Sequence, residues 1–439
     1  MKNKKFDRKL FCRRNFRPFN ILRNQDGVVL VTALVLLLML ALLAAVAVQW
    51  AATDTKRSKQ YIKTRAAFYL AEAGIQRALS FFNYDSSGNS PGEVDDGFDD
   101  EIDNTNWPAG TFSNIALGSG TYTVTVADND DNDSDTTDDV DYSVVLTSTG
   151  TQGTNTVTIE AVIFRPLYQS KHALLTEGEM KVTGTGTTVT GSAHTNANFG
   201  QSGSPIVTGG VTATGTCAGD QCSASGAPTE DVPTPDPTAF EAYADYIFNA
   251  DGTIDQRNSD GTITTGVQGN SIFSGFSHNS QGWSVGNNQT IGTDVPNQAF
   301  LYFKDDFKAG SIGSSGTPWE ITIITEKSIA WTGNAYITNW KDSSHSEDIQ
   351  NVFLVAENDI KINSMDQNTM GLIACKDQMT VGGGASFTGS MIAKNLGTTD
   401  NTVQGDALKV HGGITIVYDN NLIAPFLSNK VTVLTWQEM

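Results

Sequence analysis

Twenty-three consecutive residues, Val28 to Trp50 (VVLVTALVLLLMLALLAAVAVQW), carry no charge, no proline and no glycine. As a helix this run is about 34 Å long, enough to cross the roughly 30 Å hydrocarbon layer of a bilayer. A cleavable secretory signal has a shorter apolar core followed by a small-residue cleavage site, so the run reads as a membrane helix. Met1–Gly27 holds nine Lys/Arg against Asp7 and Asp26, a net of +7, whereas the whole chain carries −20 and everything after Gly27 therefore −27. The positive-inside rule keeps the basic end in the cytoplasm, giving a single pass of the inner membrane with the body exported. An acidic body of this kind repels nucleic acid, so binding to it through a general basic patch is not expected.

The helical pattern continues past the apolar run. Lys56–Leu79 (KRSKQYIKTRAAFYLAEAGIQRAL) has no proline and is rich in good helix formers. Ile62, Ala66, Tyr69, Ala73 and Gln76 follow one stripe, with Phe68, Leu70 and Ile75 beside it. The expectation is one helix of about 50 residues, apolar first and amphipathic later.

The basic leader, Gly27, the uninterrupted apolar helix and the segment AAFYLAEAGIQRAL together resemble the N-terminus of PilX-type minor pilins, in the type IV pilin superfamily, over Gln25–Leu79. The resemblance implies cleavage by prepilin peptidase between Gly27 and Val28, with methylation of the new N-terminus. It implies a membrane and filament helix carried by Val28, Leu30, Leu34, Leu38, Leu42, Val46 and Trp50. Other minor and major pilins would be the partners, in a pilus or related filament, with this subunit at or near the tip in assembly priming or adhesion. Major pilins carry Glu at the fifth mature position, where this chain has Thr32. A buried carboxylate needs a paired charge, and a subunit without it suits the tip better than the filament body.

Asn83–Asn106 and Asp128–Asp141 are runs of Asp, Asn, Ser and Gly, which favour turns and loops. Alternate carboxylates also suit Ca²⁺, which takes six to eight hard oxygens. Asp128, Asp130, Asn132 and Asp139 approximate an EF-hand loop, although its glycine position holds Asp133; Asp95, Asp96, Asp99 and Asp103 form a second candidate. The alternative is solvated acidic loops. Between and after these runs, Tyr122–Val126, Tyr142–Thr149 and Thr154–Phe164 read as strands of a small antiparallel sheet.

The C-terminal region repeats a phrase. Leu174–Gly184 aligns without gaps to Ile323–Gly333, Leu354–Ser364 and Ile373–Gly383: two apolar residues, a small one, a polar corner, then apolar-polar-apolar and a turn. The last two copies start 19 residues apart, close to one coil of a parallel β-helix. Each such coil buries its apolar face only against its neighbours. Cys217–Thr317 interrupts the pattern, with a proline-rich stretch (Pro228, Pro233, Pro235, Pro237) and a short helix expected over Thr238–Asn249. The expected architecture is therefore α+β: leader 1–27, helix 28–82, acidic loops and antiparallel sheet 83–168, and a β-solenoid 169–439 with an insertion at about 217–317. An irregular β-sandwich is the alternative.

Cys217 and Cys222 form the one close cysteine pair and suit a loop disulfide in an oxidising compartment; zinc would need two more nearby ligands. The five histidines are scattered singly. Asp342, His345, Glu347 and Asp348 are the best local cluster for acid–base chemistry, but they fall in a loop, and no zinc helix or phosphate loop is present. The sequence thus points to a structural or binding protein more than an enzyme. A glycan or protein on an opposing surface is a further partner, for which Trp283, Trp319, Trp331, Tyr336 and Trp340 are the aromatic candidates, although Trp331 occupies a repeat position that should be core and simple packing at the insertion is the favoured alternative for the others. A tethered surface module outside any pilus, or a tethered carbohydrate-active enzyme, are the competing readings.

Overall fold

The computed structural model describes residues 26–83, 98, 102, 112–129, 141–345, 347–397, 402–403, 405–422, 425–428 and 430–439. The chain forms two compact units, residues 1–66 and 67–439. One helix, α1, spans Asp26–Phe82. In the first unit Val28–Trp50 is exposed along its whole length, and the helix is long and apolar enough to cross a membrane.

In the second unit the last turns of α1 seal an antiparallel sheet. Its strands are β1 (Ile115–Leu117), β2 (Gly120–Asp128), β3 (Ser143–Gln152) and β4 (Asn155–Phe164), followed on the far edge by the C-terminal strand Thr432–Glu438. Alternation puts Val144, Leu146, Ile159, Ala161 and Ile163 on one face, where they pack with Leu70, Ala71, Ile75, Ala78 and Phe82 of the helix. The buried helix face is therefore not the stripe read from the sequence: Ile62 and Tyr69 are 65% and 50% exposed, while Ala67 and Ala71 are fully buried. Small residues win because they bring the two backbones together. A Cβ on Gly150 would fall on the Ala67 carbonyl oxygen, and one on Gly74 would meet the Ser148 hydroxyl.

The rest of the unit is built on two large sheets whose neighbouring strands are mostly parallel. From Ala299 to His411, apart from the two-residue strand Ile337–Thr338, the chain visits the two sheets in alternation, so that Trp319–Thr325 precedes Ile329–Ala335 and Val352–Ala356 precedes Ile360–Met365. The aligned phrases lie in register: Ile323 beside Leu354, Leu354 beside Ile373, Ile373 beside Met391, and Met391 beside Leu174. That last pairing reveals the path. The chain enters the stack in its middle at Leu174–Thr176, winds to one end at Cys222–Ser225, crosses to the other end at Tyr246–Phe248, and winds back to the middle.

Residues 217–317, expected as an insertion, thus supply Tyr246–Phe248, Gly282–Val285, Ala299–Phe303 and Phe307–Ala309 to the two sheets. The expected helix over Thr238–Asn249 is a short 3-10 helix, Thr238–Tyr243, followed by strand. The crossing has a packing role: Val232, Phe240 and Ala244 cover the outer face of the first sheet through Leu175, Ile324, Val355 and Ile392. Burial on both faces is why those strands carry two adjacent apolar residues. The second sheet buries only one face, so its strands alternate apolar and polar.

The parallel region is spliced into the antiparallel sheet between β4 and the C-terminal strand. Its entry and exit pair at Leu167 and Leu427, with the Tyr168 amide donating to the Phe426 carbonyl at 2.7 Å and the Ser428 amide to the Pro166 carbonyl at 2.8 Å. Arg165, 3% exposed, donates to the Ser428 carbonyl at 3.1 Å and to the Phe82 carbonyl at the end of α1 at 3.2 Å.

Candidate functional site

α1 is the feature with the most direct functional consequence. Its apolar half contains one hydroxyl, that of Thr32, which donates to the Val28 and Val29 carbonyls at 3.0 Å. The position where the resemblance leads one to expect a carboxylate thus holds a polar group satisfied within its own helix, a low-cost arrangement in hydrocarbon. Leu30, Leu34, Leu38, Leu42, Val46 and Trp50 are all exposed. Gly27 is helical; Val28 follows with its side chain exposed.

Other sequence candidates separate widely. Cys217 and Cys222 are disulfide-bonded, their Cα atoms 5.7 Å apart, at the end of the stack where Cys222–Ser225 is the edge strand. Cys375 is a buried free thiol in the row of small inward residues that includes Ala356 and Ala393. Of the calcium candidates, Asp128 ends β2; Asp130, Asn132, Asp139, Asp95, Asp96, Asp99 and Asp103 lie outside the described residues. Among the described residues no cluster of three metal-ligating side chains occurs.

Trp283, Trp319 and Trp331 are core residues, at most 3% exposed, and so present no stacking surface. Their positions alternate inward, and the indole N–H groups of Trp283 and Trp319 donate to the carbonyls of Asn249 and Pro296. Tyr336 and Trp340 are half-buried. Asp342 accepts the Ser344 amide at 2.9 Å, a bond that holds its carboxyl below the usual range. His345 Nδ1 lies 3.8 Å from Asp342 Oδ2 and its ring meets Tyr243 edge-on at 5.6 Å. The side chains of Glu347 and Asp348 lie outside the described set. The acid here caps a turn.

A polar cluster the sequence did not single out holds the crossing segment down. The Glu230 amide donates to Asn196 Oδ1 at 2.9 Å, and Asn196 Nδ2 donates back to the Glu230 carbonyl at 2.8 Å. His172 Nε2 meets Glu230 Oε2 at 3.0 Å, and Lys394 Nζ donates to the Val232 carbonyl at 2.9 Å. Burial pushes the pKa values of both His172 and Lys394 down, outweighing the carboxylates beside them. These residues come from four distant stretches, and single scattered polar residues give no sequence signal.

No protein-family model and no curated protein matches the chain. Among solved structures, the crystal structure of the competence-associated pilin ComZ from Thermus thermophilus aligns at 14% identity over 86% of this chain and 97% of that one, with a TM-score of 0.30. A likeness at that level carries no argument about family or role.

Proposed function

We propose that this protein is a membrane-anchored, exported pilin-like subunit of a type IV pilus or related filament. The observation that carries the reading is α1 itself. One unbroken helix carries an uncharged, uncovered and overwhelmingly apolar run over Val28–Trp50, yet docks a small-residue face on an antiparallel sheet over its last turns. The uncovered half needs lipid or other apolar helices around it, and a subunit that leaves the inner membrane for a filament exchanges one for the other.

In this reading prepilin peptidase cuts between Gly27 and Val28, and the partners are other minor and major pilins. Thr32 in place of a carboxylate suits a position at or near the tip, in priming or adhesion. We read the alternating parallel strands as a β-solenoid, the cargo carried outward by the helix, with a structural or binding role in place of catalysis. The test is the mature N-terminus: mass spectrometry of the protein from sheared filaments should give a first residue of Val28. Protein that keeps Met1 and is missing from filament preparations overturns the proposal and leaves a tethered surface module.

A further inference from the structure

The second parallel sheet leaves one face to solvent, and that face carries an ordered row of lysines. Inward neighbours fix its direction: Lys181 lies between Met180 and Val182, Lys308 between Phe307 and Ala309, Lys361 between Ile360 and Ile362, and Lys409 between Leu408 and Val410, all of them core residues. Each lysine therefore points outward. The strand registers place Lys308, Ala330, Lys361, Thr380, Lys409 and Lys181 side by side in that order. With strands about 4.8 Å apart, the four ammonium groups spring from one line about 24 Å long, at intervals of about 10, 10 and 5 Å.

This arrangement is unfavourable for the protein alone. Like charges set in register repel, and the chain beyond Gly27 carries −27 with carboxylates to spare. Yet among the described residues none of Lys181, Lys361 and Lys409 has an ion-pair partner, and Lys308 donates to the neutral Gln281 carbonyl at 3.1 Å. Glu179, an exposed carboxylate two residues before Lys181, is engaged by the Asn198 amide at 3.0 Å. The local positive field also registers on His411, whose pKa is held down by burial and by the Lys409 charge.

We propose that this row is a binding site for a linear acidic polysaccharide, its carboxylate or sulfate groups taken by the lysines and its hydroxyls by Thr380 and neighbouring backbone. A sparsely charged polymer fits better than a nucleic acid. B-DNA carries a charge about every 1.7 Å, which the acidic remainder of the chain would repel. Single strands are held by aromatic stacking, and the row offers Lys, Ala and Thr. The proposal deepens the reading of an outward-displayed body and rests on it for its biological setting.

The experiment titrates the purified full chain in detergent with polygalacturonate, neutral dextran and oligo(dT) at low salt, so filament incorporation does not enter. Polygalacturonate should bind, and the triple variant Lys181→Gln, Lys361→Gln, Lys409→Gln should lose at least tenfold in affinity at unchanged thermal stability. The matching triple Lys→Arg variant should retain binding. Absence of polygalacturonate binding, equal binding of dextran, or undiminished binding by the folded Gln variant overturns the site. Tighter binding of oligo(dT) through the same lysines overturns the polysaccharide assignment. A chain that keeps its leader yet passes this titration would refute the pilin reading alone.

Discussion

At Gly150 the backbone of β3 passes beneath the Ala67 carbonyl and the Ala71 amide, with no room for a methyl group. The helix above offers Ala67, Ala71, Gly74 and Ala78, so closeness comes from small side chains on both surfaces. Overpacking a close contact of this kind costs about 1–3 kcal/mol, more where backbone cannot move. Gly150→Ala should therefore destabilise the docking of α1 by at least that amount, read as a lower melting temperature and as faster amide exchange in residues 67–82. Unchanged exchange there would show that the helix can lift without consequence. The same residues explain the misplaced stripe: larger side chains mark a stripe by hydrophobicity, whereas this contact is selected by volume, and Tyr69 and Ile62 remain outside it.

Elements were legible in proportion to how local their signals are. The apolar run, the three alternating strands and the repeated phrase were all readable, and the phrase copies fall into register residue by residue. Leu301–Ala309 carries the same pattern but places Phe303 at the small position, which hid it inside the supposed insertion. The C-terminal strand was invisible as a sheet member because its partner, β4, lies about 270 residues earlier in sequence. The lysine row was equally hidden, since Lys181 and Lys409 become neighbours only when the winding path closes. The crossing segment depends on such closure too, and its clamp has a pH signature. Burial holds His172 below its ordinary value of about 6.5, despite Glu230 beside it. As pH falls the unfolded chain takes the proton first, so the stability His172 contributes is present above that value and lost as pH drops through the folded one. Thermal stability should decline below about pH 6.5, and His172→Gln should flatten part of that slope; an identical profile in the variant would remove His172 from the account.

For the whole molecule, the splice between β4 and the C-terminal strand makes two cores out of one chain. The core under α1 draws on the helix, β2, β3 and β4, and among the described residues it shares no buried residue with the cores of the parallel region. Two segments paired at Leu167 and Leu427 join them, tied by Arg165, whose hydrogen bonds reach both the end of α1 and the returning chain. Because the Tyr168 amide donates to the Phe426 carbonyl, those residues already stand as the flanking pair of a hairpin. A two-residue Asn-Gly turn joining Tyr168 directly to Phe426 should close that hairpin with the twist such turns favour. The resulting short chain keeps the helix, all five strands of the antiparallel sheet and both Arg165 bonds. It should fold in detergent with amides of residues 67–82 and of β3 protected from exchange. If those amides exchange freely while the full chain protects them, the parallel region is required to hold the sheet together, and the separation of cores does not amount to separate folding.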